Sequence, residues 1–171
     1  YGDHRDLHLS LRRQRQMCIR DRTNIAKQLA TNCLSKSPVI YGGGIFTGMA
    51  RRWKTQINEN SKSWAFYETI PELLHNSIEA YASDHNDEKF IILLRPSIGD
   101  DRLLSRYDIL GKMLSEYEIP FQTIEGDSHS MLSQILNMLA LGDYVSYYLA
   151  LVRGVDPAPN PVINRAKSFN E

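Results

Sequence analysis

The sequence predicts an α/β fold, a three-layer α/β/α sandwich built on a mainly parallel sheet. Short apolar runs alternate along the chain with longer segments whose apolar residues recur every three or four positions. The run 90–94, Phe-Ile-Ile-Leu-Leu, is apolar at every position, as a parallel strand covered on both faces requires. The connections between these segments are of ordinary length, so strand–helix–strand units with helices on both sides of the sheet follow.

Taken in order, 24–34 reads as a helix with Ile25, Leu29 and Leu34 apolar. Residues 38–41 (Pro-Val-Ile-Tyr) form a buried strand, stopped by Gly42, Gly43 and Gly44 in a turn. From Ile45 the period changes to that of a helix, and Phe46, Met49, Ala50, Trp53 and Ile57 line one face. A second strand is expected over 64–67. Pro71 is expected to start a helix carrying Leu74, Ile78 and Tyr81, and 84–89 is a polar loop. After the 90–94 strand come an amphipathic helix over 101–116, a fourth strand over 121–124 and a long helix over 128–152, which Gly154 and Pro157 end. In such sheets ligands bind beyond the carboxyl ends of the strands, which selects the loops 42–44, 70–75, 96–101 and 125–130.

The 171 residues carry 20 basic and 20 acidic side chains, a neutral balance that argues against nucleic acid as a partner. No uninterrupted apolar run approaches the ~18 residues of a membrane span, so no membrane partner is expected. The first residues are polar and unlike a signal peptide. Two cysteines, Cys18 and Cys33, make no disulfide framework, and no Cys/His cluster has zinc spacing. The expectation is a reduced, cytoplasmic protein with no metal and no cofactor.

The head, 1–22, differs from the rest. It holds six Arg and three Asp but no Lys, Glu or Pro. A basic arm for an acidic partner is one reading. The other is a stretch foreign to the fold, and 15–21 (Arg-Gln-Met-Cys-Ile-Arg-Asp) has the look of a translated sequencing-adaptor read-through. The head is therefore left out of the domain, which is taken as 23–171.

Several residues are candidates for chemistry. The three glycines offer backbone N–H groups to an anion, or simply a tight turn. His129 and His85 read as solvated surface residues. Glu59 stands between Asn58 and Asn60 at the end of the second helix, where amides can orient a carboxylate without neutralising it. His75 follows the second strand near its carboxyl edge, and Lys167 lies in a basic tail. Composition and spacing alone leave each of these open between a functional and a surface role.

The stretch 52–62 (Arg-Trp-Lys-Thr-Gln-Ile-Asn-Glu-Asn-Ser-Lys), then 71–76 (Pro-Glu-Leu-Leu-His-Asn), resembles the bifunctional phosphoglucose/phosphomannose isomerase family. So do 142–150 (Gly-Asp-Tyr-Val-Ser-Tyr-Tyr-Leu-Ala), 154–157 (Gly-Val-Asp-Pro) and a Lys near the carboxyl terminus. The resemblance covers residues 23–171 and only the second of the family's two sugar isomerase (SIS) subdomains. It implies metal-free aldose–ketose isomerisation of glucose or mannose 6-phosphate to fructose 6-phosphate through a cis-enediol(ate). Glu59 would then be the base that moves a proton between C1 and C2, a role worth typically ~10²–10⁴-fold. Desolvation beneath Trp53 or Trp64 would strengthen it. His75 and Lys167 would open the cyclic sugar.

A helix from Ile45 rises ~1.5 Å per residue, which carries Glu59 on the order of 20 Å from the edge where His75 sits. The family resolves this by taking the histidine from the neighbouring subunit, so a homodimer with His75 supplied across the interface is expected. The Ser/Thr loop that holds the sugar phosphate belongs to the missing N-terminal SIS subdomain, and the chain alone is expected to be inactive. Two alternatives remain: a non-catalytic sugar-phosphate-binding SIS module, and the isomerase part of a glucosamine–fructose-6-phosphate aminotransferase-like enzyme. A generic nucleotide binder has no phosphate-cradling motif to support it. Preference between glucose and mannose would rest on small pocket residues around Asn160.

Overall fold

A computed structural model describes residues 24–127 and 130–169. The readings of the head and of His129 fall outside the described residues.

Helix α1 (Ile25–Asn32) starts where Asn24 accepts the backbone N–H of Ala26 at 2.8 Å, an N-cap that satisfies donors the first turn leaves orphaned. Strand β1 (Ser37–Gly43) passes through a 3₁₀ turn, Gly44–Phe46, into helix α2 (Thr47–Ser61). Strand β2 (Phe66–Ile70) follows, then 3₁₀ turns at Glu72–Leu74, Ser77–Ala82 and Asn86–Glu88. Strand β3 (Lys89–Arg95), helix α3 (Asp101–Glu116), strand β4 (Phe121–Glu125), helix α4 (Met131–Val152) and helix α5 (Pro161–Ser168) complete the order.

The sheet order is β2-β1-β3-β4 and every pairing is parallel. Side chains alternate across it as strand geometry demands. Ile40, Phe90, Ile92 and Leu94 turn to one face, against α1, α2 and α4. Val39, Tyr41, Ile91 and Leu93 turn to the other, against α3 and the 3₁₀ segment. Helices thus lie on both faces, and the three-layer expectation holds. Burial of each large aliphatic in these layers contributes about 1.5–3 kcal/mol.

Two close approaches fix the helical layer. A Cβ on Gly42 would meet the Phe46 carbonyl oxygen at 2.5 Å and the Ala50 Cβ at 2.9 Å, so only glycine lets β1 end this near α2. On α4, Gly142 admits the Trp53 indole: an added Cβ would sit inside the ring. The buried Trp53 Nε1–H then donates to the Met138 carbonyl oxygen at 2.8 Å, joining α2 to α4.

The structure departs from the sequence reading in four places. No α-helix starts at Pro71. Asn76 accepts the Ser77 N–H at 2.6 Å and the Ser77 hydroxyl at 3.0 Å, so side chains compete for the groups a helix would use, and two 3₁₀ turns result. The second strand begins at Phe66 and runs to Ile70, later than expected: Trp64 is 79% exposed and Ala65, though buried in the core, precedes the first paired residue. As an edge strand β2 keeps Phe66 and Tyr67 open to solvent. Helix α5, begun by Pro161 at a position where a missing N–H costs nothing, lies beyond the breakers at 154–157 and was not read from the sequence. Finally, α4 is long and apolar enough to cross a membrane by length and composition alone. Interspersed Ser, Gln, Asn and Asp hide this from a search for unbroken runs. Its inner face, with Met138, Val145, Leu149 and Ala150, is core packing.

Candidate active site

Glu59 occupies the last turn of α2, and because α2 returns from the carboxyl end of β1 to the amino end of β2, it lies at the amino edge of the sheet. Lys62 ends the helix in the left-handed conformation (φ 53°), a step the chain needs to turn into β2. Its ammonium donates to the Glu59 carbonyl oxygen at 2.6 Å, to the Asn160 Oδ1 at 3.0 Å and to the Pro157 carbonyl oxygen at 3.4 Å. A cation there also complements the partial negative charge of a helix carboxyl terminus.

The amides beside Glu59 serve a different purpose from the expected one. Asn58 donates to the Ser63 carbonyl oxygen at 2.7 Å, and Asn60 to the Ser146 hydroxyl on α4 at 2.8 Å. Both fasten the helix end to its surroundings. The amide that touches the carboxylate comes from the far end of the chain: Asn160 Nδ2 donates to Glu59 Oε1 at 3.2 Å. Oε2 accepts no hydrogen bond among the described residues and stays available to a ligand. Neither indole covers Glu59. Trp53 is consumed by the α2–α4 core, and Trp64 stacks on Phe66 with ring centroids 6.4 Å apart, leaving the carboxylate exposed.

Asn160 immediately precedes α5, so Lys167 belongs to the element that the Glu59–Asn160 contact anchors at the amino edge. It is exposed there. His75 follows the Glu72–Leu74 turn past the carboxyl end of β2 and is exposed as well. The five residues of β2 separate the two edges by roughly 17 Å at ~3.3 Å per residue. Within one chain the structure brings Asn160 to Glu59 and leaves His75 at the opposite edge.

At the carboxyl edge the glycine turn is already committed. The Gly43 N–H donates to the Tyr107 hydroxyl at 2.7 Å, and that hydroxyl donates to the Leu94 carbonyl oxygen at 2.7 Å, bridging β1 and β3. The glycine segment is thus a tight turn whose middle donor is spent. Arg95, which sequence reasoning did not single out, pairs with Glu125 at 3.3 Å and with Asp108 at 3.2 Å. These three line an open groove of about 930 Å³ between α3 and β4, with Lys112 and Glu116 among its other charged residues. Asp100 caps α3 by accepting the Arg102 N–H at 2.9 Å, which holds its carboxyl below the usual range. Among the described residues no group of three or more His, Cys, Asp or Glu is arranged to hold a metal ion.

The sequence signal for Lys62 and Asn160 was present but indirect. Lys62 falls within the 52–62 stretch, and the sequence ties Asn160 only to specificity. Their joint hold on Glu59 spans about 100 residues, which no local pattern reveals.

Residues 22–169 match the family model described as the bacterial phospho-glucose isomerase C-terminal SIS domain. The chain is 35% identical over 142 residues to a bifunctional phosphoglucose/phosphomannose isomerase of Aquifex aeolicus, covering 82% of this chain and 44% of that protein. To the Caldicellulosiruptor bescii protein of the same name it is 36% identical over 148 residues, again covering 44% of its length. The chain therefore spans less than half the length of these relatives. Among solved structures, a glucose-6-phosphate isomerase like protein from Thermus thermophilus superposes with a TM-score of 0.64 at 19% identity, over 85% of this chain and 47% of that one.

Proposed function

The chain belongs to the bacterial phospho-glucose isomerase C-terminal SIS domain family, and we propose that it supplies the catalytic base of an aldose–ketose isomerase acting on glucose or mannose 6-phosphate. The observation that carries this reading is the Glu59 carboxylate, held through Oε1 by Asn160 with Oε2 unbonded among the described residues. A positioned carboxylate with one open oxygen suits a proton shuttle between adjacent carbons. Oε2 takes the proton from C2 of the open-chain aldose while the C1 carbonyl oxygen gains a proton, giving a cis-enediol(ate). Glu59 then returns its proton to C1 as the C2 hydroxyl gives up its own, so that the C2 carbonyl of the ketose forms and the proton gained at the C1 oxygen is matched by the one lost at the C2 oxygen. Atoms and charge balance without a cofactor.

His75 and Lys167 would serve the ring-opening step, donating to the ring oxygen and accepting from the C1 hydroxyl. Since His75 lies at the far edge of its own sheet, His75 of the partner subunit is the one that would meet Glu59, which makes the enzyme a dimer with shared sites. The sugar phosphate would be held by the preceding SIS half that the relatives' greater length implies, so the 171 residues alone would not turn over. A phosphorylated sugar does not cross a bilayer unaided, which accords with a cytoplasmic location.

The test joins residues 23–171 to the amino-terminal half of the Aquifex aeolicus relative and follows fructose 6-phosphate formation. Glu59→Gln should abolish turnover while preserving the fold. Mixing separately inactive E59Q and H75A enzymes should restore about one quarter of the activity, because half the dimers are mixed and each then holds one intact site. Turnover retained in E59Q refutes the base. A silent mixture refutes the shared site.

A further inference from the structure

Lys62 stands where helices commonly end on glycine. It closes α2 in the left-handed conformation (φ 53°, ψ 31°), which glycine adopts freely and a Cβ opposes. A side chain held in such a backbone points to work done by that side chain. Lys62 is also fully engaged. An ammonium has three donors and no acceptor. Here they go to the Glu59 carbonyl oxygen at 2.6 Å, the Asn160 Oδ1 at 3.0 Å and, at greater length, the Pro157 carbonyl oxygen at 3.4 Å. No donor is left over for a substrate phosphate. Lys62 meets Glu59 itself only at the backbone, and reaches the carboxylate through the Asn160 amide.

That amide is constrained from both ends. A lysine can only donate, so the Asn160 atom facing it is the oxygen; an ionised carboxylate can only accept, so the atom facing Glu59 is the nitrogen. By drawing charge toward Oδ1, the ammonium also makes Nδ2–H the stronger donor to Oε1. We infer that Lys62 is a positioning residue of the isomerase reaction: through Asn160 it holds Glu59 Oε1 in place and so keeps Oε2 aimed at the substrate carbons. This rests on the reading of Glu59 as the base. The terminal torsion of a glutamate is broad, so an exposed carboxylate released from the amide turns freely and is correctly placed only part of the time. A misplacement of about 1 Å can cost about 10²-fold in rate.

The test uses the enzyme made by joining residues 23–171 to the Aquifex aeolicus half, with Lys62→Gly, which suits the left-handed backbone while removing the ammonium. Its kcat should fall about 10–100-fold with KM within about twofold of wild type. Glucose 6-phosphate deuterated at C2 gives a readout that a loss of folded enzyme does not move. Per turnover, K62G should deliver less deuterium to C1 of fructose 6-phosphate and lose more to water, because a loosely held carboxylate exchanges its proton before returning it. A double-mutant cycle with Asn160→Ala tests the route: if Lys62 acts through Asn160, adding K62G to N160A should cost less than about twofold more. Three results overturn the inference. One is a raised KM at unchanged kcat, which would make Lys62 a phosphate ligand. Another is a kcat or a deuterium transfer that K62G leaves unchanged. The third is a pair of effects that multiply in the double variant. An E59Q enzyme that still turns over removes the base and this inference together, whereas an inactive E59Q beside an unimpaired K62G removes the inference alone.

Discussion

Replacing Gly142 by Ala puts a single methyl group where the Trp53 indole lies. Helix propensity favours the change by about 1 kcal/mol. Overpacking a tight core costs about 1–3 kcal/mol. Displacing the indole also breaks its 2.8 Å hydrogen bond to the Met138 carbonyl oxygen, and leaving those buried groups unsatisfied costs a further 1–3 kcal/mol or so. The penalties win, for a net loss of about 3 kcal/mol. In a chain of this size that lowers Tm by roughly 6–12 °C. Urea unfolding followed by tryptophan fluorescence reads it directly, with Trp64 contributing a constant exposed background. Gly111 on α3 provides the control: a Cβ there meets nothing within 4 Å, so Gly111→Ala should stabilise by about 0.4–1 kcal/mol. If Gly142→Ala changes stability by less than about 0.5 kcal/mol, or tracks the control, the account of the α2–α4 contact is wrong.

Two further outcomes follow from the same residues. Lys62→Met should release the segment 157–168 from the end of α2, speeding amide exchange there while the sheet is unaffected; as Lys62 is exposed, the global cost should stay within about 1 kcal/mol. Unchanged exchange over 157–168 would show that the ammonium anchors nothing. Burial pushes the Cys33 thiol up from 9.0 to about 12, so in a C18S chain Ellman's reagent should find no reactive thiol in the folded state and one after unfolding. The raised value has a definite sign: the unfolded chain loses this proton first, so stability is complete below pH 9 and falls as pH rises from 9 toward 12, at up to about 1.4 kcal/mol per pH unit. Equal stability at pH 8 and pH 10.5 contradicts it.

The sequence by itself determined the sandwich. The unbroken run at 90–94 and the 3.6-residue stripe from Phe46 to Ile57 are local patterns, and local patterns suffice when burial on both faces or on one face sets the composition. The quoted stretches at 52–62, 71–76 and 142–150 likewise sufficed for the family, which residues 22–169 match. Where side chains compete with the backbone, as at Asn76 and Ser77, periodicity misled, and two 3₁₀ turns stand where a helix was expected. Only the tertiary structure decided what surrounds Glu59. The neighbouring Asn58 and Asn60 turn away, and the partner that meets the carboxylate is Asn160, oriented by Lys62. A hydrogen bond between residues so distant in the chain exists only once α4 has packed on α2 and brought residues 157–160 back to the helix end. That closure is a property of three-dimensional packing, and it leaves no period or motif to read.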